Sequence, residues 1–170
     1  MRTNSTTDEG LMDHPAADID AVLVDPDDVI ETFKRNHEED SRLKTHVLRL
    51  MPPFDDEVRA EPYLEDGPKR YPPGRDPEPL HLSPGTFVAN DDGPHPGETH
   101  LTIPTEADAR RVAEQDHGEP INDETIESTL DRLLEEWDAA IRDSLIDRIR
   151  IYIDPANADE IWTNARYEQR

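Results

Sequence analysis

The sequence predicts an α+β fold, with a small, mainly antiparallel sheet, one long amphipathic helix packed on it, a loop-rich middle and a disordered N-terminal tail. Apolar residues recur at three- and four-residue steps from Ile126 to Leu145, the spacing of a helix that buries one face. The period then changes to two, because Ile149, Ile151 and Ile153 alternate with arginine and tyrosine, as in a half-buried strand. The succession of the two patterns indicates a helix packed against a sheet.

Composition limits the size of the core. The chain has 170 residues, enough for one domain of ordinary size with tails. Leu, Ile, Val and Phe together make up 34 residues, and the formal net charge is −23. These values lie close to those of disordered chains, so we expect no large enzyme core. We predict a disordered acidic tail over 1–18, a single domain over 20–154, and a short helix or tail over 155–170.

Three capping residues mark the starts of the predicted helices. Asp25 precedes a proline and an apolar stripe, which predicts a helix over 26–38. Thr105 has an aspartate three residues later, a capping-box pattern that predicts a helix over 106–116. Asn122 caps the long amphipathic helix.

Strands are predicted before a proline-rich middle. The apolar run over 47–51 ends at a pair of prolines, and a second strand is expected over 58–63. Twelve of the sixteen prolines fall between Pro52 and Pro104, a density that excludes a long helix. This region is therefore predicted to be loop-rich, with short extended pieces at 80–82, 87–88 and 101–103.

The charge pattern points to a salt-rich cytoplasm. Asp and Glu number 41 against 15 arginines and three lysines, and the acidic residues are spread along the whole chain. Molar salt reduces the Debye length to about 3 Å, which screens the self-repulsion of such a surface. The rival interpretation is an acidic mimic of nucleic acid, which should concentrate its carboxylates in one place. Direct nucleic-acid binding is not expected, because it requires clustered Lys and Arg.

Several chemistries are excluded by what the sequence lacks. Without cysteine there are no disulfides, no thiol catalysis and no cysteine-ligated zinc. No apolar run is long enough to cross a membrane, and the N-terminus lacks an apolar signal core. We therefore expect a cytoplasmic protein without membrane contact.

Three segments and a helix–strand pattern resemble a known family. The segments are His46 to Phe54, Tyr71-Pro72-Pro73 and Pro77 to Pro84, and the Trp137 helix followed by the 149–153 strand completes the pattern. Together they resemble a family of small uncharacterised haloarchaeal proteins, a domain of unknown function, over roughly residues 20–154. The resemblance implies a halophilic cytoplasm and transfers no activity, cofactor, partner or site residue.

One motif favours an enzyme. The apolar run before Asp25, followed by Asp27, resembles the first motif of haloacid-dehalogenase-like phosphatases. There the first aspartate attacks phosphorus and the second handles the leaving-group proton, around a magnesium ion. Asp91 and Asp92 are candidates for the further acidic pair that the chemistry needs. Helix capping explains the same residues, and the proline-rich middle does not supply the crossover helices of a parallel sheet.

Histidines near carboxylates raise the question of a metal. His95, Glu98 and His100 lie within ten residues of an aspartate pair, and a second acidic cluster follows His37. Neither has the spacing of a zinc helix or a calcium loop. We predict no metal or cofactor, while leaving open whether the His95/Glu98/His100 cluster binds an ion.

Two further side chains have competing interpretations. Ser83 lies two residues from His81, but no nucleophile-elbow pattern surrounds it, which favours a turn serine. Trp137 lies in the middle of the apolar stripe, which favours a core position over an interface anchor.

The resulting functional prediction is a non-catalytic, halophile-adapted cytoplasmic protein that binds a protein partner or serves as an accessory subunit. The alternative is a small metal-assisted hydrolase that uses Asp25 and Asp27. No catalytic, cofactor-binding or metal residue is assigned, and the oligomeric state stays open.

Overall fold

The structure is a computed structural model that describes residues 15–67, 71, 77–89, 101–118, 120–154 and 159–169. The sequence candidates Asp91, Asp92, His95, Glu98 and His100 lie outside the described residues. The same holds for residues 1–14 of the predicted disordered tail. Within that predicted tail, Pro15–Asp18 forms a 3₁₀ turn whose Ala16 is fully buried.

Within the described residues, six strands and three helices follow one another. In order they are β1 (Ala21–Val24), α1 (Pro26–Glu38), β2 (Lys44–Leu50), β3 (Glu57–Asp66), β4 (Leu80–Leu82), α2 (Glu106–His117), α3 (Asp123–Asp143), β5 (Arg148–Asp154) and β6 (Asp159–Tyr167). A second 3₁₀ turn, Pro84–Phe87, follows β4. The fold is α+β, as the sequence predicts.

All six strands belong to one mixed sheet in the order β4-β2-β3-β1-β6-β5. The short strand β1 runs parallel to both β3 and β6, and the remaining neighbours are antiparallel. The expectation of a mainly antiparallel sheet is therefore only partly met. The difference arises because β1 lies at the centre and pairs with strands that are distant in sequence.

The sheet curls until its two ends approach each other. Val88, after β4, forms a β-bridge with Leu145, before β5. The Ile146 amide donates to the Phe87 carbonyl at 3.0 Å, and the Tyr167 phenol donates to the Ile146 carbonyl at 2.5 Å. Burial raises the pKa of the Tyr167 phenol above its ordinary value, and the nearby Asp147 charge adds to this. These contacts give the sheet a nearly barrel-shaped form.

The core lies on the concave face of this curled sheet. Alternate strand residues point inward there, and they include Leu48 and Leu50 of β2 and Ile149 and Ile151 of β5. Helices α1 and α3 cover this face. Trp137 of α3 is 5% exposed, which confirms its predicted core position, and its ring nitrogen donates to the Leu101 carbonyl at 2.9 Å.

More than one helix packs on the sheet, so the expectation of one long helix packed on it is only partly met. The longest is α3, but α1 also buries Val29 and Ile30 in the same core. Its start is fixed as predicted, because the Asp25 carboxylate accepts from the Asp27 amide at 2.8 Å. The predicted caps of the other two helices, Thr105 and Asn122, are also confirmed.

The segment after β5 is a strand, not the predicted short helix or tail over 155–170. Ile161, Thr163 and Ala165 of β6 are buried, and the residues between them are exposed. This period of two belongs to a strand that packs one face on a core. The predicted short helix carried Ile161, Trp162 and Ala165. The partners of β6, β1 and β5, decide the outcome.

Candidate interaction surface

The face of the sheet opposite the core, here called the convex face, carries arginine side chains beside aromatic rings. On each strand its residues alternate with those directed to the core side, and the register places neighbours side by side. It consists of Ala21, Leu23, Thr45, Val47, Arg49, Glu57, Arg59, Glu61, Tyr63, Glu65, His81, Arg148, Arg150, Tyr152, Glu160, Trp162, Asn164 and Arg166.

The charge of the convex face differs from that of the chain. Of the side chains just named, five are arginines and four are glutamates, and none is an aspartate or a lysine. The chain as a whole has a formal charge of −23. The convex face is therefore close to neutral on a strongly acidic molecule.

Several arginines of this face have no carboxylate partner. Arg166 pairs with Glu57, and Arg150 lies 3.5 Å from a carboxylate oxygen of Glu160. The other three, Arg49, Arg59 and Arg148, form no ion pair within the described part of the chain. The Nη1 atom of Arg59 is buried and has no hydrogen-bond partner there. An unpaired buried polar group costs free energy, so the burial of this Nη1 atom is unfavourable for the folded state.

Aromatic rings lie beside these arginines at both ends of the convex face. The Arg49 guanidinium carbon lies 3.7 Å from the centre of the Tyr63 ring. At the other end, Arg150 lies 5.6 Å from the centre of the Trp162 ring, which is 50% exposed. A guanidinium over an aromatic face is attracted by the ring quadrupole, and the exposed ring offers apolar contact area.

His81, whose side chain is buried, lies at the β4 end of the convex face. Its Nδ1 lies 2.5 Å from a carboxylate oxygen of Glu65, and its Nε2 contacts the Tyr71 hydroxyl. The His81 side chain is only 6% exposed. A proton on Nδ1 directed to Glu65 leaves Nε2 to accept from Tyr71. This arrangement fixes Tyr71 to the sheet, and chemically it can relay a proton between a phenol and a carboxylate.

The predicted turn serine next to His81 has a local role. The Ser83 hydroxyl accepts from the Gly85 amide at 3.1 Å and so caps the 3₁₀ turn after β4. Such a hydroxyl-to-amide bond is typical of turns.

The acidic residues of the phosphatase-like motif lie at the start of α1. Asp25 is 7% exposed and caps the helix, whereas Asp27 is exposed and lies 2.7 Å from Arg142 of α3. Hydrogen bonds from Arg142 to Asp138 and then to Asp27 raise the pKa of that guanidinium, so it stays charged. The structure thus brings Asp27 to an arginine, and the further pair Asp91 and Asp92 lies outside the described residues.

The histidine region after α1 is held by hydrogen bonds. Asn36 binds the His46 backbone twice, at 2.8 Å and 2.6 Å, and the His46 ring lies 3.3 Å from Glu39. The Ser41 amide, followed by the His46 ring, lowers the pKa of the Glu39 carboxyl. His37, the first residue of the predicted acidic cluster, is exposed. In the described segments no three metal-ligating side chains come together.

A small cavity lies between α1 and the β2–β3 hairpin, on the concave side. Its volume is about 230 Å³, and its lining includes Asp28, Glu31, Arg35 and His46. Both charge signs are present, and the volume is below that of ordinary ligand sites, which begin at about 300 Å³.

No helix among the described residues combines the length and apolar character needed to cross a membrane.

Sequence reasoning missed the convex face because four of its residues, including Trp162 and Arg166, belong to β6. The alternation of Arg148 and Arg150 with isoleucines did predict one half-buried strand. Trp162 and Arg166 were placed in a helix or tail instead. The one signal available was the strict alternation of Ile161, Thr163 and Ala165 with polar or aromatic residues.

Comparisons with known proteins extend the sequence resemblance. No significant match is found among curated proteins or among solved structures. A family model described as a domain of unknown function (DUF8009) matches residues 8–167, which is nearly the whole chain. The chain belongs to this family, a domain of unknown function.

Proposed function

We propose that the protein is a non-catalytic, cytoplasmic binding protein or accessory subunit adapted to molar salt, and that its protein partner docks on the convex face. One observation carries the proposal. Three arginines on that face lack a carboxylate partner in the described part of the chain, and Trp162 lies exposed beside one of them. Trp, Tyr and Arg are the residues enriched at the centres of protein interfaces.

The salt adaptation rests on composition. A chain with 41 acidic residues and three lysines repels itself in dilute buffer. At molar salt this repulsion acts only over about 3 Å, so a nearly neutral face is free to approach another protein. The resemblance to haloarchaeal proteins supports the same setting.

The test is co-purification of the tagged full-length chain from its native cells in molar KCl. Trp162→Ala removes the exposed ring of the convex face, and Arg132→Ala serves as the matched control. Arg132 is half exposed on α3, where it pairs with Asp116 at 3.6 Å. Thermal melts first establish that both variants fold like the wild type.

We expect one protein to co-elute in a constant ratio with the wild type and with Arg132→Ala, and to be lost with Trp162→Ala. A partner that Trp162→Ala retains contradicts docking on the convex face. A partner lost equally from both variants contradicts it as well.

A second candidate is the small metal-assisted hydrolase that uses Asp25 and Asp27. One observation favours it: Asp25 follows β1, whose neighbours β3 and β6 run parallel to it. The carboxyl ends of parallel strands are frequent sites of chemistry in α/β proteins. The cap formed by Asp25 and the ion pair formed by Asp27 supply a structural role for both residues.

A further inference from the structure

We infer that the Asn36 side chain takes the place of a neighbouring strand on β2, and so prevents β2 from pairing with the same strand of a second copy of the chain. Asn36 belongs to α1, so the inference does not depend on docking at the convex face. It begins from two hydrogen bonds between this helix and the edge of a strand.

Asn36, in the last turn of α1, binds the backbone of His46 in the way that a strand does. Its Oδ1 accepts from the His46 amide at 2.6 Å, and its Nδ2 donates to the His46 carbonyl at 2.8 Å. In an antiparallel ladder, a hydrogen-bonded residue exchanges the same two bonds with the residue opposite it. The side-chain amide of Asn36 therefore reproduces, at His46, the hydrogen bonds of an added strand.

These two bonds lie on the side of β2 where β4 ends. Alternate residues of a strand direct their amide and carbonyl to the same side, so His46 and Leu48 share one side. Leu48 is opposite Pro62 of β3, which has no amide to donate, and opposite Leu82 of β4. The backbone groups of Leu48 therefore face β4, and those of His46 face the position that a longer β4 would occupy.

The sequence explains why β4 does not extend as far as His46. Two residues beyond the Leu48–Leu82 pair, the same register would place Pro84 opposite His46. Proline has no amide hydrogen, so it cannot donate to the His46 carbonyl. The chain turns away instead, because a 3₁₀ turn begins at Pro84. Asn36 thus supplies to His46 the two hydrogen bonds that β4 does not.

The connection between α1 and β2 holds this end of the helix beside the strand. The Glu39 carboxylate lies 3.3 Å from the His46 ring nitrogen and accepts from the Ser41 amide at 3.3 Å. The Ser41 carbonyl accepts from the Lys44 amide at 3.3 Å. Lys44 lies two residues before His46 and faces the same side, so both amides of this part of the edge are bound within the chain.

A second copy of the chain is the partner that this edge would accept without its cover. An uncovered edge presents free amides and carbonyls, which form a template for pairing with another strand. Two copies of β2 can pair antiparallel through the same residues, because a two-fold dimer uses one surface twice. In molar salt the net charge of −23 repels only over about 3 Å, so charge does not keep two edges apart. The hydrogen bonds of Asn36 cover the edge at any salt concentration.

The experiment compares the full-length chain with Asn36→Ala in molar KCl, by sedimentation velocity over a range of protein concentrations. Alanine forms helices better than asparagine, so α1 should stay folded, and circular dichroism melts check this. Gln115→Ala is the matched control, because it removes an exposed amide side chain near the end of α2. Amide hydrogen exchange at His46, followed by NMR, measures the hydrogen bond itself.

We expect the mass of Asn36→Ala to double relative to the wild type as its concentration rises, whereas Gln115→Ala should behave like the wild type. In dilute samples the His46 amide should exchange about tenfold faster in Asn36→Ala, the effect of losing one hydrogen bond. In the associated form the same amide should be protected again, because the second copy binds it. Adding His46→Pro to Asn36→Ala should abolish the association, since proline offers no amide to the added strand.

An Asn36→Ala variant that keeps the wild-type mass at every concentration overturns the inference. Association that persists after His46→Pro is added also overturns it, because the copies then join through another surface. Asn36→Ser is the second variant, should Asn36→Ala fail to fold. In the wild type, a His46 amide that exchanges as fast as an unbonded one contradicts the inference as well, because Asn36 then does not cover the edge.

Discussion

On the three helices every arginine pairs with a carboxylate, whereas three of the five arginines on the convex face pair with none in the described part of the chain. The helical pairs follow mostly from spacing, since Arg35 lies four residues after Glu31 and Arg110 four after Glu106. On the sheet, neighbours come from other strands, and the register puts Leu23 beside Arg59.

This difference shows that a charge spread evenly along the chain is not spread evenly over the molecule. Helices α1, α2 and α3 hold 16 acidic residues against six basic ones, a net charge of −10, and each of their arginines pairs with a carboxylate. The convex face carries almost no net charge, and three of its five arginines form no ion pair within the described residues. Under the proposed function, the acidic helices serve solubility in salt and the sheet supplies the surface that a partner covers.

The two tryptophans provide the largest test of this comparison. Trp137→Ala should destabilise the protein by about 3–5 kcal/mol, because it empties a core position that α3 packs against Phe33. Trp162→Ala should change stability by less than about 0.5 kcal/mol, because the ring is half exposed. Denaturant melts of both variants in molar KCl measure the difference. Equal losses would mean that the convex face is part of the packed core.

Salt should act mainly on the helical surface. We expect the melting temperature to rise between dilute and molar KCl, because screening removes repulsion among the acidic side chains. Replacing Glu127, Asp131 and Glu135, all exposed on α3, by their amides should reduce this rise. Circular dichroism melts at both salt concentrations provide the measurement. A melting temperature independent of salt contradicts the halophilic adaptation.

Arg59 and Arg142 test the arginines of the two regions directly. Arg142 forms pairs with both Asp27 and Asp138, so Arg142→Gln should cost up to about 1 kcal/mol, the upper range for exposed pairs. Arg59→Gln should cost nothing or stabilise slightly, because it removes a guanidinium that has no partner within the described residues. Chemical denaturation in the same buffer compares them. A larger loss for Arg59→Gln would show that its charge is satisfied in the free protein.

Much of the three helices was predictable from sequence, because helix capping and the helical period involve residues that are close in the chain. The caps Asp25, Thr105 and Asn122 act within two or three residues of themselves, so their patterns are visible without the fold. The buried side of α3, with Trp137, follows equally from the helical period. These elements need no information about distant parts of the chain.

The convex face was not predictable because it is assembled from distant segments. β1 pairs with β6, so Leu23 meets Arg166 across more than half the chain. The period of β6 was ambiguous, and the pairing that resolves it is absent from local sequence. The unpaired state of Arg59 depends on this pairing as well, since Glu57 is taken by Arg166. The convex face is therefore determined by the register between strands, which the local sequence does not contain.

The smallest expected effect concerns Asp25, at the junction of the sheet and α1. If its role is to cap α1, Asp25→Asn should leave stability nearly unchanged, because asparagine caps a helix about as well. If Asp25 is instead the nucleophile of a hydrolase, the same change abolishes turnover, because an amide does not attack phosphorus.

The measurement pairs a thermal melt with hydrolysis of a generic phosphoester in molar KCl and magnesium. Turnover by the wild type that disappears in Asp25→Asn, at unchanged melting temperature, would replace the binding protein by the hydrolase. Asp27→Asn is a second test of the same choice, because under the capping account it removes only an exposed ion pair with Arg142, whereas the phosphatase account assigns Asp27 the leaving-group proton.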